Sequence, residues 1–172
     1  MTDRFAHDLR LDRIRDADRL DLAAGDDERD QIARRLGLEG LDRLEAHAVF
    51  SRNRDLIRAK GRLQASLIQS CVVTGQQIAS HVDEPFEIMF MPEPVGSADE
   101  EIELAESDCD IVFHDGARID LGNAIADTLA LSIDPYPRSA GAEAALKEVG
   151  ILTEAEASPF AALAKLRKSD ES

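Results

Sequence analysis

The chain has 172 residues with a formal net charge of −15 at pH 7, and 44% of its residues are hydrophobic. This size predicts a single domain with a real core, and the acidic balance argues against a protein that coats nucleic acid through a general positive field. No apolar run approaches the roughly 20 residues that span a bilayer, and the N-terminus has no apolar signal region. We therefore expect a cytoplasmic protein without membrane contact, whose cysteines, Cys71 and Cys109, are reduced.

Two short elements are predicted before the main sheet. Residues 4–14 alternate loosely between apolar and charged side chains and predict a short strand, whereas the charged stretch 16–22 predicts a connection. Asp26–Leu36 has apolar residues four apart and predicts a helix, with Asp26 or Asp27 as its N-cap.

Three longer stretches, 44–50, 57–70 and 78–91, alternate between apolar and polar residues. Because successive side chains of a strand point to opposite faces, this pattern predicts strands with one buried and one solvated face. Their succession predicts an antiparallel meander. The small residues Ala59, Gly61 and Ala65 fall on the buried face of the second strand, which suggests that another group packs close to this face.

The stretch after this meander is strongly acidic. It opens with prolines and a glycine and contains no lysine or arginine. We predict an acidic loop at 93–108 that leads into a further strand at about 109–113.

A helix is predicted from residue 120 to residue 133. The Asp120 carboxylate can cap its first turn, and apolar residues recur every four positions, at Leu121, Ile125, Leu129 and Ile133. The prolines of the following segment stop the helix and make a rigid corner, Asp134-Pro135-Tyr136-Pro137-Arg138.

The C-terminal segment 139–172 contains two further helix signals. Residues 142–149 predict a short helix, and Ser158 followed by Pro159 is a typical helix start. The segment is either packed or mobile until it meets a partner.

Together these elements predict the α+β class: an antiparallel β-sheet (meander) with one central packed helix and short flanking helices. We expect residues 1–168 to form a single domain, with the early strand and the strand at 109–113 extending the sheet.

Nothing in the sequence indicates catalysis. The four histidines lack metal-ligand spacing, and Gly-x-Ser-x-Gly, Gly-x-x-x-x-Gly-Lys and Gly-x-Gly-x-x-Gly motifs are absent from the sequence. We expect no catalytic residues, no cofactor and no metal site, and hence a protein that is not an enzyme.

One basic stretch stands out against the acidic background: Arg52, Arg54, Arg58, Lys60 and Arg62. The last three share a strand face, and an exposed stripe of one sign can bind a phosphate backbone. The equally weighted alternative is an ordinary solvated strand face that pairs with acids of a neighbouring strand or of the 93–108 loop.

The sequence resembles the YceD-like family, the large ribosomal RNA subunit accumulation proteins of bacteria and plastids. Three landmarks carry the resemblance: Cys71-Val72-Val73-Thr74-Gly75 followed by 82–92; Ile119-Asp120-Leu121 through Leu129-Ala130-Leu131 to the corner at 134–138; and Ser158-Pro159-Phe160 through Leu166. Many relatives carry Cys-x-x-Cys at the first landmark. Here Thr74 replaces the second cysteine, which puts any metal-binding role of the family in doubt for this chain.

The resemblance implies a non-enzymatic ribosome-biogenesis factor that supports synthesis, processing or stability of large-subunit (23S) ribosomal RNA. In that interpretation the basic stretch contacts the RNA or its precursor. The alternative is an acidic adaptor that docks basic ribosomal or transcription proteins without touching RNA. The candidate protein contacts are Asp134, Pro135, Tyr136, Pro137, Arg138 and Phe160, and the oligomeric state is left open.

Overall fold

The computed structural model describes residue 5 and residues 8–93 and 110–150. These residues fall into two compact units: the first contains the described residues of 1–69 and 79–135, and the second those of 70–78 and 136–172. That residues 1–168 form one domain stays a prediction. The acidic loop at 93–108, apart from Glu93, and the C-terminal segment beyond residue 150, including Phe160, lie outside the described residues.

The main sheet has five strands that lie side by side in chain order. They are β2 (Arg19–Ala23), β3 (Gly40–Asn53), β4 (Leu56–Ser70), β5 (Gln77–Pro92) and β6 (Asp110–His114). β2 pairs antiparallel with β3 and β3 with β4, whereas β6 runs parallel to β5. The predicted α+β class with a mostly antiparallel sheet is therefore confirmed.

In the N-terminal part a short strand forms as predicted but does not extend the main sheet, and the predicted connection at 16–22 is wrong. Of the described residues of 4–14, only Leu9–Arg10 (β1) is a strand, and it pairs with β7 (Arg118–Ile119) in a separate two-stranded sheet. The chain then turns through a 3₁₀ helix that buries Leu11 in the core. The stretch 16–22, predicted as a connection, contains most of β2, an edge strand with charged residues on its exposed face.

The strict alternation of apolar and polar residues in β4 gives the strand one buried and one exposed face, as predicted. Ile57, Ala59 and Leu63 are fully buried, while the basic side chains between them are exposed. Gly61 has the predicted close neighbours, because a Cβ there would lie 1.8 Å from the His47 carbonyl oxygen and 2.9 Å from Cζ of Phe86. Only glycine allows this approach.

Helix α1 (Asp26–Leu36) has the predicted bounds but not the predicted N-cap. Its N-cap is Gly25, not Asp26 or Asp27, and the Glu28 carboxylate accepts the Gly25 N–H at 2.8 Å. The helix ends at Gly37, which adopts φ = 67°. α1 packs against β3.

Helix α2 (Leu121–Ser132) follows the sequence pattern closely. The Asp120 carboxylate accepts the Asn123 N–H at 2.8 Å, and the predicted apolar stripe is buried in the same core as the sheet. On its exposed side the Arg35 guanidinium of α1 binds Asp127 at 3.1 Å. In the second unit a short helix, α3 (Ala142–Glu148), follows the corner. That α2 is the one central helix stays a prediction.

Candidate interaction surfaces

The face of the main sheet opposite the core, which we call the open face, carries side chains of both signs. On β3 and β4 most residues that point to this face are polar or charged, although Val49, Leu56 and Ile68 are apolar, and on β5 they are acidic in the middle of the strand. The basic stretch predicted from sequence therefore lies partly on this face, between neighbours that contain carboxylates.

Three cations of this stretch form ion pairs with β5. Arg58 and Lys60 both bind the carboxylate of Glu87, each at 3.2 Å, and Arg62 binds Asp83. The Arg62 hydrogen bond lowers the pKa of the Asp83 carboxyl below its ordinary value, so this acid stays ionised. Two of the three positive charges are thus offset by carboxylates of the neighbouring strand.

Of the other two cations, Arg52 lies near the end of β3 and Arg54 lies in the turn between β3 and β4. The Arg52 guanidinium donates to the backbone carbonyls of Leu11 and Ile14, the latter at 2.8 Å, and so holds the N-terminal turn against the strand. Arg54 lies at the turn itself, with φ = 57° and an exposed side chain. The five predicted residues therefore do not act as one set: one is structural, three are paired and one is at the tip.

The predicted partner corner divides between the two units. In the first unit, the Asp134 carbonyl accepts a 2.8 Å bond from the buried Gln69 amide. In the second, Tyr136 is 72% exposed and Arg138 is exposed, but Pro137 is buried and its carbonyl accepts the Val72 N–H at 3.0 Å.

Cys71 is buried in the second unit and acts as a hydrogen-bond acceptor. Its Sγ accepts the backbone N–H groups of Ser139 at 3.3 Å and of Thr74 at 3.4 Å, which together lower the pKa of the thiol to about 6. The Thr74 hydroxyl, which stands where many relatives have a cysteine, lies 3.3 Å from the Ser139 hydroxyl. Within the described ranges, no group of three or more His, Cys, Asp or Glu side chains is arranged to hold a metal ion.

A cleft of about 270 Å³ in the first unit has several carboxylates in its lining, but they already serve the fold. Asp120 caps α2, Asp127 binds Arg35, and Asp8 binds Arg118 at 3.2 Å. The Asp115 carboxylate accepts two backbone N–H groups of the turn before β7, which lowers the pKa of this carboxyl. The carboxylates that line this cleft are therefore explained by their roles in the local structure.

The family model described as large ribosomal RNA subunit accumulation protein YceD matches residues 59–167, which is more than half of the chain. The chain belongs to the YceD family. The match contains most of β4, all of β5 and α2, and the predicted resemblance is confirmed. No curated protein and no solved structure gives a significant match.

Membership of the YceD family ties the chain to accumulation of the large ribosomal RNA subunit. None of the helices in the described ranges has the length and apolar character that a membrane crossing demands.

This YceD family member also has an apolar surface that the sequence reasoning missed. Leu56 and Phe113 are 37% and 52% exposed, and Met89, Met91 and Ile111 are half-buried on the same side of the sheet. The signal was present in the sequence, because residues 86–91 are apolar at nearly every position instead of every second one. We call these five residues the apolar patch.

Proposed function

We propose that the chain is a non-enzymatic, cytoplasmic ribosome-biogenesis factor that supports synthesis, processing or stability of 23S ribosomal RNA. Membership of the YceD family supports a role of this chain in accumulation of the large ribosomal RNA subunit. Asp120 caps a helix, Asp115 holds a turn, and His114 contacts the Asp55 carbonyl. These structural roles support a binding function over a catalytic one. Such a factor works by stabilising one conformation of a bound intermediate.

We further propose that it acts as an acidic adaptor for a basic protein of the pathway. One observation carries this choice: Glu87 and Asp83 pair with Arg58, Lys60 and Arg62 across β4 and β5, which offsets two of the three positive charges. A stripe whose positive charge is largely offset, in a chain of net charge −15, offers only a weak field to attract a phosphate backbone.

Direct RNA contact is the second candidate, and one feature favours it. Arg58 and Lys60 share a single carboxylate, and all three pairs are exposed, so a phosphate could replace the protein acids at little cost. In that case Arg54 at the turn would add a further phosphate contact.

The first test is depletion of the protein from growing cells, after which 23S ribosomal RNA should fall relative to 16S. Affinity purification at low and high salt, with crosslinking, then separates the two modes. The adaptor predicts crosslinked basic proteins and no RNA crosslinks at residues 52–62. Direct contact predicts precursor RNA crosslinked there and released at high salt.

A charge reversal of Arg58, Lys60 and Arg62 to glutamate sharpens the comparison. The control is the same reversal combined with Asp83→Lys and Glu87→Lys, which restores the cross-strand pairs with exchanged signs. Unchanged protein partners in both variants support the adaptor, whereas loss of RNA crosslinks in both supports RNA contact. Turnover in a magnesium-dependent RNA cleavage assay would overturn the non-enzymatic proposal.

A further inference from the structure

The apolar patch is continuous across three strands of the open face. In the parallel pairing of β5 with β6, Met89 lies beside Ile111 and Met91 beside Phe113. β4 and β5 run in opposite directions, because contacts step from Ser66–His81 through Arg62–Asp83 to Arg58–Glu87. The next residue of β4 on this face is Leu56, which therefore lies at the end of the strand that faces Met89 and Met91 of β5.

This surface is unusual for a sheet face that already has its own polar network. The middle of the open face is covered by ion pairs, and the apolar residues start where those pairs end, at the turn between β3 and β4. Contiguous exposed apolar side chains rimmed by polar ones are typical of docking surfaces. Methionine and phenylalanine, which supply most of the patch, are enriched in such surfaces because they adapt and bury large areas.

The charges at the margin indicate the occupant. Asp55 precedes Leu56, and Glu93 follows Met91 by two residues. The Glu93 N–H binds the His114 carbonyl at 3.2 Å, which keeps this acid beside the end of β6. Neither of these two carboxylates forms an ion pair with another described residue; Arg54 precedes Asp55 in the chain, and Arg58 is bound by Glu87.

We propose that the apolar patch binds a lysine- or arginine-rich segment of a partner protein, with apolar side chains of that segment seated on Phe113 and Met91. The cations of the segment would meet Asp55 and Glu93 at the margin. This inference rests on the proposed adaptor function and assigns the surface through which the adaptor works.

A peptide of twelve alternating lysines and leucines, labelled for fluorescence anisotropy, is the direct probe. Phe113→Ser and Met91→Ser should each weaken its binding about tenfold, since each removes most of one apolar contact. Leu131→Ser is the matched control, because Leu131 is a 79% exposed apolar residue on α2, away from the open face, and this change should leave binding unaltered. Circular dichroism of all three variants checks that the fold is retained.

Comparison probes make the result decisive. A lysine–serine peptide should bind more weakly than the lysine–leucine peptide, and a glutamate–leucine peptide should not bind. The proposal is overturned by equal binding in all variants, by equal affinity for the lysine–serine peptide, or by a dimer that Phe113→Ser dissociates. A twelve-residue oligouridine that binds the wild type and is lost in Phe113→Ser would overturn it too, by making the patch an RNA surface.

Cell experiments separate this inference from the proposed function. If depletion lowers 23S ribosomal RNA but Phe113→Ser complements as well as Leu131→Ser, the patch is not the working surface and the function stands. If depletion has no effect on 23S ribosomal RNA while the peptide results hold, the proposed function fails and the binding surface remains.

Discussion

The Arg62 guanidinium forms an ion pair with the Asp83 carboxylate on the neighbouring strand, in the middle of the open face. Arg62 is one of the cations that the sequence suggests for RNA binding. Its pairing shows why the charges counted along one strand do not predict the charge of the sheet surface. Residues 21 positions apart in the chain are direct neighbours in space. The field above the face therefore depends on both strands.

Removing the two β5 acids should expose this hidden positive charge. In Asp83→Asn with Glu87→Gln, we expect binding of a single-stranded RNA oligonucleotide to appear at low salt and to vanish at about 0.5 M salt, because three cations lose their partners. Stability should change little, since exposed ion pairs contribute little. Electrophoretic mobility shift across a salt series measures the binding.

The matched control neutralises two acids elsewhere, Asp26→Asn with Asp27→Asn at the start of α1, which changes net charge equally. If that control gains RNA binding to the same extent, net charge and not the stripe is responsible. Tight binding by the wild-type protein at physiological salt would contradict the adaptor proposal.

Gly61→Ala should destabilise the protein by about 1–3 kcal/mol, because the new Cβ overlaps the His47 carbonyl oxygen and presses on the Phe86 ring. Gly40→Ala on the neighbouring strand is the control: its Cβ would meet Ile68 at 3.6 Å, an ordinary contact. Urea unfolding gives both free energies. Equal effects of the two changes would show that loss of glycine itself, not the close approach, sets the cost.

The sequence predicted the parts of the fold in which pattern and burial coincide. α2 has an N-cap, a four-residue apolar repeat and terminal prolines, and β4 has eleven residues of strict alternation, so local and tertiary preferences agree there. β2 was missed because an edge strand needs few apolar residues, and only Leu20 and Leu22 marked it among charged neighbours.

The candidate site was predicted in composition but not in arrangement. Sequence reasoning located the cations but could not choose their partners, since which acids lie beside β4 depends on the register with β5. The apolar patch was missed for a related reason. Residues 86–91 are apolar at nearly every position, so the sequence shows no alternation that would assign them to one face of the sheet or the other. The exposure of Phe113 follows from the position of β6 at the edge of the sheet.

Arg52→Ala should destabilise the protein by roughly 1–3 kcal/mol, because it leaves the Leu11 and Ile14 carbonyls without their charged donor. Arg54→Asn removes the same charge from the adjacent turn and tolerates the positive φ there, so it should be nearly neutral. Denaturant unfolding compares the two. An unchanged free energy of unfolding in Arg52→Ala would show that this arginine does not stabilise the fold and would favour a role in partner binding.

The Cys71 thiol should ionise near pH 6 in the folded protein, three pH units below its ordinary value of 9.0, because the Ser139 and Thr74 N–H groups donate to its sulphur. Thiolate absorbance at 240 nm, measured against pH in a Cys109→Ser background, should show a midpoint at about 6. Subtracting the same titration of Cys71→Ser isolates this one group. A midpoint near 9 would show that the two N–H groups do not stabilise the thiolate.

The same hydrogen bonds make stability depend on pH. Between pH 6 and 9 the folded state holds a thiolate while the unfolded chain holds a thiol, so folding releases a proton and the Cys71 contribution grows as pH rises. It is complete above pH 9 and is lost as pH falls through 6. The free-energy difference between the Cys109→Ser protein and its Cys71→Ser derivative should therefore widen from pH 6 to pH 9, and a constant difference would contradict the linkage.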